Sequence, residues 1–425
     1  MNPSPKARAP MPAIAIVAML AALLGAAATA SAAKAPGGLS AAELKAITPL
    51  LSKHDVIALA ESSPTGEPVS MTMALRVKAP RDVVFGVLKD PTSFYYLSTL
   101  FKENEIVEQH DNAKAWTWAS RQKLFSVTGM NTIALYPPRR ADVRIAKSTL
   151  GQGDFTFEFH EDGPDRTIVV LSGILDVQTS EWLIRLLLGG NPSMRQAMNV
   201  AIGLVCIKGV KALAERVAAG KPVDKHRTGG RSGGELRITT PQELKALAPL
   251  IARGQVVIVD SNGGGRMRQV TAIEDVRAPF AKVVDAVSAP KNFQKMIRAI
   301  SDVTVESATP QEILFSWTLG FSVFSITSRN RMTSAGDGVL LEGLDGDLAG
   351  AKWRWQIVPV APDDTIVAYH GFANVGKAAV ILDKTVRREP YLEHGLMAGS
   401  NMVMLRAMKR AVEQSLKAPA TPAKP

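Results

Sequence analysis

The sequence predicts an α+β protein of two tandem domains, each a curved antiparallel sheet wrapped around a long C-terminal helix. Three observations lead to this fold class. One pattern occurs twice along the chain, strand-like stretches of alternating character fill the middle of each copy, and each copy ends in a long amphipathic helix. A sheet with one apolar face needs a cover, and the terminal helix can bury the concave face.

The repeat shows as short matching segments at a nearly constant offset. ELKA at 43–46 returns at 243–246, which is 200 residues later, and TIV at 167–169 returns at 365–367, which is 198 residues later. Solenoid repeats are about 20–50 residues long, so this period indicates whole domains that can each bury a core. We predict a first domain at 39–218 and a second at 238–416.

Three further segments lie outside the repeats. Residues 1–32 have the pattern of a signal peptide, with Lys6 and Arg8 before an apolar run at 13–25 and the small residues Ala30 and Ala32 at a cleavage site. The run is shorter than the roughly 20 residues of a spanning helix, so cleavage is favoured over an uncleaved anchor. Residues 219–237 predict a flexible basic linker and 417–425 a disordered tail. We expect an exported chain, in the periplasm or beyond.

Charge and cysteine content narrow the partners. The formal net charge is +11, from 50 basic and 39 acidic residues. Such an excess suits nucleic acid or anionic membranes. Export argues against nucleic acid as a partner and favours transient contact with an anionic membrane surface. The alternative is a generic basic surface that has no dedicated partner. Cys206 is the single cysteine, which excludes an intrachain disulfide and indicates a buried structural thiol. The oligomeric state stays open.

The elements follow the same order in each copy. Ser40 with Glu43, and Thr240 with Glu243, predict capping boxes that open a short helix. A strand follows at about 69–78 and 269–277, then a helix that begins at an Ala-Pro pair, where proline suits the first helical position. Strands separated by turn signals lead to the terminal helices at about 192–217 and 390–415, whose apolar residues recur at spacings of three and four.

These features resemble the START / polyketide cyclase / Bet v 1-like (SRPBCC) superfamily. The resemblance lies in the Ala-Pro helix start, in the segment from Lys89 to Phe94, and in Trp355, Pro359 and the TIV segment at 365–367 before the terminal helix. The first copy has Phe157 in place of the tryptophan. The resemblance implies a helix-grip fold with a cavity between the sheet and the C-terminal helix. In that superfamily the cavity typically holds lipids, sterols, quinones, polyketides or plant hormones.

Candidate catalytic chemistry is sparse. The six histidines form no HxH, HExxH or His/Cys group of metal-ligand spacing, and there is no Gly-x-Ser-x-Gly nucleophile elbow and no phosphate-binding loop. We therefore predict no catalytic residue, no metal and no cofactor. Because some cyclases of the resembled superfamily work by shaping a cavity, an enzyme stays open but is the less favoured reading.

Aromatic residues and methionines supply the pocket candidates. They stand on strand-like stretches or on the terminal helices, where they either line a cavity or fill the core. The candidates are Trp116, Trp118, Phe125, Phe157, Met198, Ile202, Phe315, Trp317, Phe324, Trp353, Trp355, Tyr369 and Met404. Since the aromatic sets of the copies differ, we expect two cavities that are not identical. His370, Arg329 and Arg331 are weaker candidates for binding a polar head group, and Arg354 is expected to face solvent.

The function predicted from the sequence is binding, and carriage, of a hydrophobic small molecule such as a lipid, sterol or quinone. Two alternatives remain at this point. One is an enzyme of the polyketide cyclase/aromatase kind, which needs acid–base groups that face inward. The other is an interaction module whose cavities are filled by side chains, which a continuous apolar cavity would oppose.

Overall fold

A computed structural model describes residues 37–98, 101, 103–121, 126–180, 191–223, 233–262, 265–297, 299–320, 325–374 and 389–417. The predicted signal peptide, residues 224–232 of the predicted linker and all but the first residue of the predicted tail lie outside these residues. We call residues 39–218 the first repeat and 238–416 the second repeat.

The first repeat contains four helices and eight strands in its described part. In chain order they are α1 (Ala41–Ile47), β1 (Val56–Ser62), β2 (Pro68–Val77), α2 (Arg81–Lys89), α3 (Phe94–Leu97), β3 (Glu103–Gln109), β4 (Ala113–Arg121), β5 (Ser126–Tyr136), β6 (Arg140–Ser148), β7 (Gln152–Glu161), β8 (Thr167–Asp176) and α4 (Pro192–Ala218).

The described part of the second repeat has the same order of elements. They are α5 (Pro241–Ile251), β9 (Gln255–Ser261), β10 (Met267–Val276), α6 (Phe280–Val287), α7 (Pro290–Met296), β11 (Ile300–Ala308), β12 (Glu312–Gly320), β13 (Ser325–Ala335), β14 (Gly338–Gly346), β15 (Lys352–Ala361), β16 (Asp364–Phe372) and α8 (Pro390–Lys417).

Local sequence chemistry explains most helix starts. The predicted capping boxes are present at Ser40 with Glu43 and at Thr240 with Glu243, where side chain and backbone satisfy each other. One detail of the prediction is wrong. Pro80 and Pro279 have extended backbone angles and cap α2 and α6 from outside, so these helices begin one residue later. Proline fits there because the backbone N–H of a cap residue needs no helical partner.

All sixteen described strands form one antiparallel sheet. Its order is β11-β12-β13-β14-β15-β16-β10-β9-β1-β2-β8-β7-β6-β5-β4-β3, so the repeats meet where β1 pairs with β9. Ile57 pairs with Ile258 across this seam. The α+β class with antiparallel pairing is as predicted. The expectation of a separate sheet in each repeat is wrong, because β1 pairs with β9 and joins both repeats in one sheet.

Two ion clusters join the repeats on either side of the seam. Arg253 of the second repeat contacts Glu43 at 2.8 Å and Glu61 at 3.0 Å. His54 lies one repeat before Arg253, and its Nδ1 is 2.5 Å from Oδ1 of Asp260. Because charged hydrogen bonds between partly buried groups are directional, both clusters favour one relative placement of the repeats.

Helices cover both faces of the sheet. On one face α1 and α5 pack over a small apolar cluster that includes Leu247 and Ile258. On the other face α4 packs against β2 and α8 against β10, and these two helices also pack on each other. The larger apolar cluster lies under them and contains residues of both repeats.

Helix α4 is long and apolar enough to cross a bilayer by length and composition. Of its most apolar 18-residue window, 61% is buried inside the protein. Val200 and Leu204, near the middle of α4, are fully buried. These burial values are those of a core helix, which passes the same test of length and composition.

Candidate ligand-binding cavity

One large cavity of about 1240 Å³ lies between the sheet and the two long helices. First-repeat residues from α3, from strands β4 to β8 and from α4 form part of its wall. Second-repeat residues from α7, from β12, β13, β15 and β16, and from α8 form the rest. The expectation of two separate, non-identical cavities is therefore wrong, because a single cavity is lined by both repeats.

The crossing of α4 and α8 explains why the two halves of the cavity merge. Gly395 and Gly399 of α8 lie against Ala201 and Ala197 of α4, so the helices run antiparallel at this point. A Cβ at Gly395 would be 2.8 Å from the Cβ of Ala201 and 2.9 Å from its Cα. Small residues on both helices thus permit close approach of the backbones. All four residues line the cavity. Ala197 and Gly395 are buried, and Ala201 and Gly399 are partly exposed.

Most of the predicted pocket residues do lie at the cavity. They come from strands and helices of both repeats and are Trp118, Phe157, Met198, Ile202, Trp317, Trp353, Tyr369 and Met404. The two strand residues Trp317 and Trp353 are neighbours, with ring centroids 6.5 Å apart. The structure therefore brings aromatic and methionine side chains that are far apart in sequence into one wall.

Three predicted residues lie in the core and not at the cavity. Trp116 is fully buried, and its ring centroid is 4.6 Å from that of Phe94, which does line the cavity. Trp355 lies between Phe293 and Tyr369, at 6.4 and 4.1 Å. Phe315 is likewise fully buried, beside Trp317 at 5.5 Å. Other side chains cover each of these rings, which excludes them from the cavity surface.

The remaining two candidates, Phe125 and Phe324, lie outside the described residues. The sequence analysis did not name the apolar residues Leu392, Leu396 and Val403 of α8 as pocket residues, although they line the cavity. Their spacing of four and seven along one helix was the available signal. That signal marks the apolar face of a helix, and it does not distinguish cavity wall from packed core.

Polar groups at the cavity wall are few. The indole N–H of Trp118 donates to Oδ1 of Asn131 at 2.9 Å, so this pair is satisfied within the wall. The Trp317 side chain is buried, and its Nε1 has no hydrogen-bond partner among the described residues. Because this nitrogen is itself buried, it is not presented at the cavity surface.

The thiol and the phenol in the wall are kept neutral by burial. Burial, with the charge of Glu389 as a second cause, raises the pKa of the Cys206 thiol to about 12. Burial also raises the pKa of the Tyr369 phenol. A thiol is a nucleophile only as a thiolate, so Cys206 is a poor nucleophile here. Among the described lining residues there is no Asp, Glu or His.

The weaker head-group candidates do not reach the cavity. His370 is fully buried and is hydrogen-bonded to Thr271 at 2.9 Å and to Gln356 at 3.0 Å. Burial, assisted by the charges of Arg354 and Arg237, lowers its pKa to about 3. Its strand neighbour Tyr369 points the other way, into the cavity wall. One of the two faces inward, as the alternation of a strand requires.

The arginines form surface ion pairs. Arg329 contacts Glu306 at 2.7 Å, and Arg331 contacts Glu312 at 3.1 Å. Arg354, expected to face solvent, is partly buried and pairs with Asp337. The hypothesis of a buried arginine at β13 that binds an anionic head group is therefore wrong.

A buried polar cluster lies beside the cavity at the junction of the repeats. The carboxylate of Asp55 binds Lys208 and is 2.8 Å from Nζ of Lys211, and the Ser261 hydroxyl donates to it at 2.7 Å. Although burial acts to raise its pKa, the two lysines hold the pKa of Asp55 well below its usual range. His394 lies 3.4 Å from both Lys208 and Ser261.

The cluster is not part of the cavity wall. Burial, with the charge of Lys208, lowers the pKa of His394 to about 3, so the ring is neutral near pH 7. No group of three or more His, Cys, Asp or Glu side chains that could hold a metal ion is present in the described part of the chain.

Comparison with known proteins gives likenesses to solved structures only. No family model matches the chain, and no curated protein matches it. The di-domain aromatase/cyclase StfQ from the steffimycin biosynthetic pathway is 14% identical, and the match covers 82% of this chain and 99% of that chain at a TM-score of 0.28.

Two single-domain structures match over one part of the chain. The Zhui aromatase/cyclase from a Streptomyces species is 20% identical over 36% of this chain and 99% of that chain, at a TM-score of 0.30. The STAR-related lipid transfer protein from Xanthomonas axonopodis is 19% identical over 42% of this chain and 98% of that chain, also at 0.30.

Proposed function

We propose that this protein binds and carries a hydrophobic small molecule, such as a lipid, sterol or quinone, in the cavity shared by its two repeats. The observation that carries the proposal is the cavity itself, about 1240 Å³ in volume and lined mainly by aliphatic and aromatic side chains. Pockets for drug-sized ligands usually measure about 300–1,000 Å³. The volume therefore suits a ligand at or above the upper end of that range.

Burial alone supplies enough free energy for this function. Removing about 300 Å² of apolar ligand surface from water contributes on the order of 7 kcal/mol, at about 25 cal/mol per Å², before the costs of ordering. No covalent step is needed.

The proposal includes the finer architecture that the sequence resemblance implies. Each repeat is a helix-grip domain whose sheet curves around its terminal helix, α4 in one repeat and α8 in the other. Support comes from the packing of α4 on β2 and of α8 on β10, and from the position of the cavity between these layers.

The alternatives fit the cavity less well. A module with filled cavities would leave no continuous apolar space, whereas this space is large. A cyclase or aromatase that works by acid–base catalysis needs a titratable pair that faces the substrate. In the described wall, Cys206 and Tyr369 both have a raised pKa and no carboxylate or histidine is present. These observations favour binding over turnover.

A titration with neutral ligands tests the function. We expect a sterol, a ubiquinone analogue or a long-chain alcohol to quench the tryptophan fluorescence of the full chain, saturating at one ligand per chain, because Trp118, Trp317 and Trp353 all line the cavity. A chain that takes up none of these ligands, from detergent-free buffer, would reject the proposal.

We also propose export with cleavage after residue 32, on the basis of the N-terminal pattern described above, and transient contact of the basic chain with anionic membranes. The intact mass of the chain purified from a native envelope fraction tests the cleavage. A mass that includes residues 1–32 would contradict it.

A further inference from the structure

The cavity opens differently in the two repeats. Five of its lining residues have exposed side chains: Met194, Lys295, Ser400, Arg410 and Gln414. Three of them come from two helices of the second repeat that pack on each other: Lys295 from α7, and Arg410 and Gln414 from the C-terminal part of α8. Their counterparts one repeat earlier are Tyr96, Ala212 and Arg216, and none of these lines the cavity.

One residue difference explains this asymmetry. In the first repeat, Gly209 of α4 lets the backbone of α3 approach, and a Cβ at this position would lie 2.2 Å from the carbonyl oxygen of Leu97. The residue 198 positions later is Ala407, which has that Cβ. The equivalent approach of α7 to α8 is therefore excluded, and α7 packs less closely on α8 than α3 does on α4. Ala407 and Met296 instead line the gap that remains.

The charges at this gap are all of one sign. Lys295 and Arg410 are the two charged residues among the described lining residues. Neither takes part in an ion pair within the described part of the chain. The neighbouring bases of α8 do, since Arg406 and Lys409 both contact Glu274, at 3.6 and 3.3 Å. Unlike Arg406 and Lys409, the two bases that face the cavity thus have no ion-pair partner among the residues that the structure describes.

An apolar path leads inward from the two bases. Ala407, Val403, Leu396 and Leu392 follow one another along one face of α8 and all line the cavity. They lead to the helix crossing and on to Met198 and the rest of the first-repeat half of the wall. A ligand that fits this arrangement has a negatively charged end, held at the gap, and a long apolar body.

We infer that the cavity takes an acidic amphiphile whose carboxylate or phosphate group binds Lys295 and Arg410 and whose hydrocarbon chain lies along α8 toward the first repeat. This inference rests on the proposed function and adds the chemical class of the ligand and its direction of entry. Both bases attract the anion, and no described carboxylate in the wall opposes it.

The test compares ligands that share a chain length and differ in the head group. Palmitate, palmitoyl lysophosphatidate and the neutral hexadecanol are titrated into the full chain, the two acids below their critical micelle concentrations and the alcohol below its solubility limit. We expect at least one of the acids to bind about tenfold more tightly than hexadecanol. The preferred acid identifies the head group as carboxylate or phosphate.

The variant Lys295→Glu/Arg410→Glu is expected to lose this preference, with at least about tenfold weaker binding of the acid and unchanged binding of hexadecanol. The control Lys89→Glu/Lys245→Glu makes the same change in net charge at exposed positions that do not line the cavity, and should keep the preference.

Two outcomes would overturn the inference while the proposed function stands. One is equal binding of acids and alcohol by the unmodified chain. The other is an equal loss of affinity for the acids and for the alcohol in the double variant, which would mean that the two bases maintain the shape of the gap. Failure of all three ligands to bind would instead overturn the proposed function on which the inference rests.

Discussion

Replacing a cavity residue with tryptophan, in the first or in the second repeat, is expected to weaken the binding of the same single ligand. Ile202 of α4 and Val403 of α8 are half-buried and line the cavity from different repeats. In Ile202→Trp or Val403→Trp the indole occupies space that the ligand needs. Loss of about 100 Å² of ligand contact corresponds to about 2.5 kcal/mol, or roughly 60-fold in Kd. Calorimetric titration with hexadecanol measures this change.

The controls are matched on the same two helices. Val217 and Leu416 are 42% and 44% exposed and do not line the cavity, so Val217→Trp and Leu416→Trp should bind normally. If the cavity is shared, each blocking variant still binds one ligand per chain, with lower affinity. If each variant instead kept half of the original capacity at unchanged affinity, the repeats would have independent sites and the shared cavity would be refuted.

Acid is expected to destabilise the folded chain through two buried histidines. An unfolded histidine takes up a proton near pH 6.5, whereas burial lowers the pKa of His370 and His394 to about 3. Between about pH 6.5 and 3 the unfolded chain therefore binds more protons. The stabilisation is complete above about pH 6.5 and declines as the pH falls through this window. At pH 5 each histidine has lowered the free energy of unfolding by about 2 kcal/mol relative to its value well above pH 6.5, and the two together lower it by about 4 kcal/mol.

Urea unfolding at pH 7.5 and pH 5 measures the effect, and His370→Gln/His394→Gln is the comparison variant. Glutamine is already present one repeat before His394, as Gln196, so this fold accepts it there. Asp275 acts in the opposite direction between about pH 4 and 6, because burial and Asp364 raise its pKa to about 6. The variant retains Asp275. It should therefore lose less stability on acidification than the parent chain, and an equal loss in both would contradict the assignment to the histidines.

Much of the architecture could be predicted from the sequence because it depends on local patterns. The capping boxes follow from Ser40 and Thr240 with a glutamate three residues later, and alternation placed the strands. The long helices showed an apolar face at spacings of three and four. The repeat also predicted the same order of elements in both halves, and the structure has that order.

The shared cavity could not be predicted in this way, because it depends on contacts between the repeats. Pairing of β1 with β9 and the close contact of Gly395 with Ala201 join residues about 200 positions apart. A glycine in a helix does not reveal which helix will approach it. In sequence the two copies have the pattern of separate domains, and separate domains would each contain a cavity.

The sequence also could not show which aromatic side chains reach the cavity surface and which are covered by other residues. Alternation places Trp116 and Trp118 on the same face of β4, and it does not say which is covered. Phe94 packs over Trp116, while Trp118 reaches the cavity. In the second repeat Phe293 packs beside Trp355 in the same manner. The covering residues come from α3 and α7, whose position over the sheet is a tertiary feature.

Native mass spectrometry of the chain purified from its own envelope fraction, followed by organic extraction of whatever adheres, tests the central claim most directly. One cavity lined by both repeats predicts a single discrete added mass per chain, released by the solvent as one class of apolar molecule. A bare chain that also takes up nothing from a lipid extract would contradict the account of a hydrophobic carrier. Two equal added masses per chain, one of them lost in Ile202→Trp and the other in Val403→Trp, would contradict the single shared cavity.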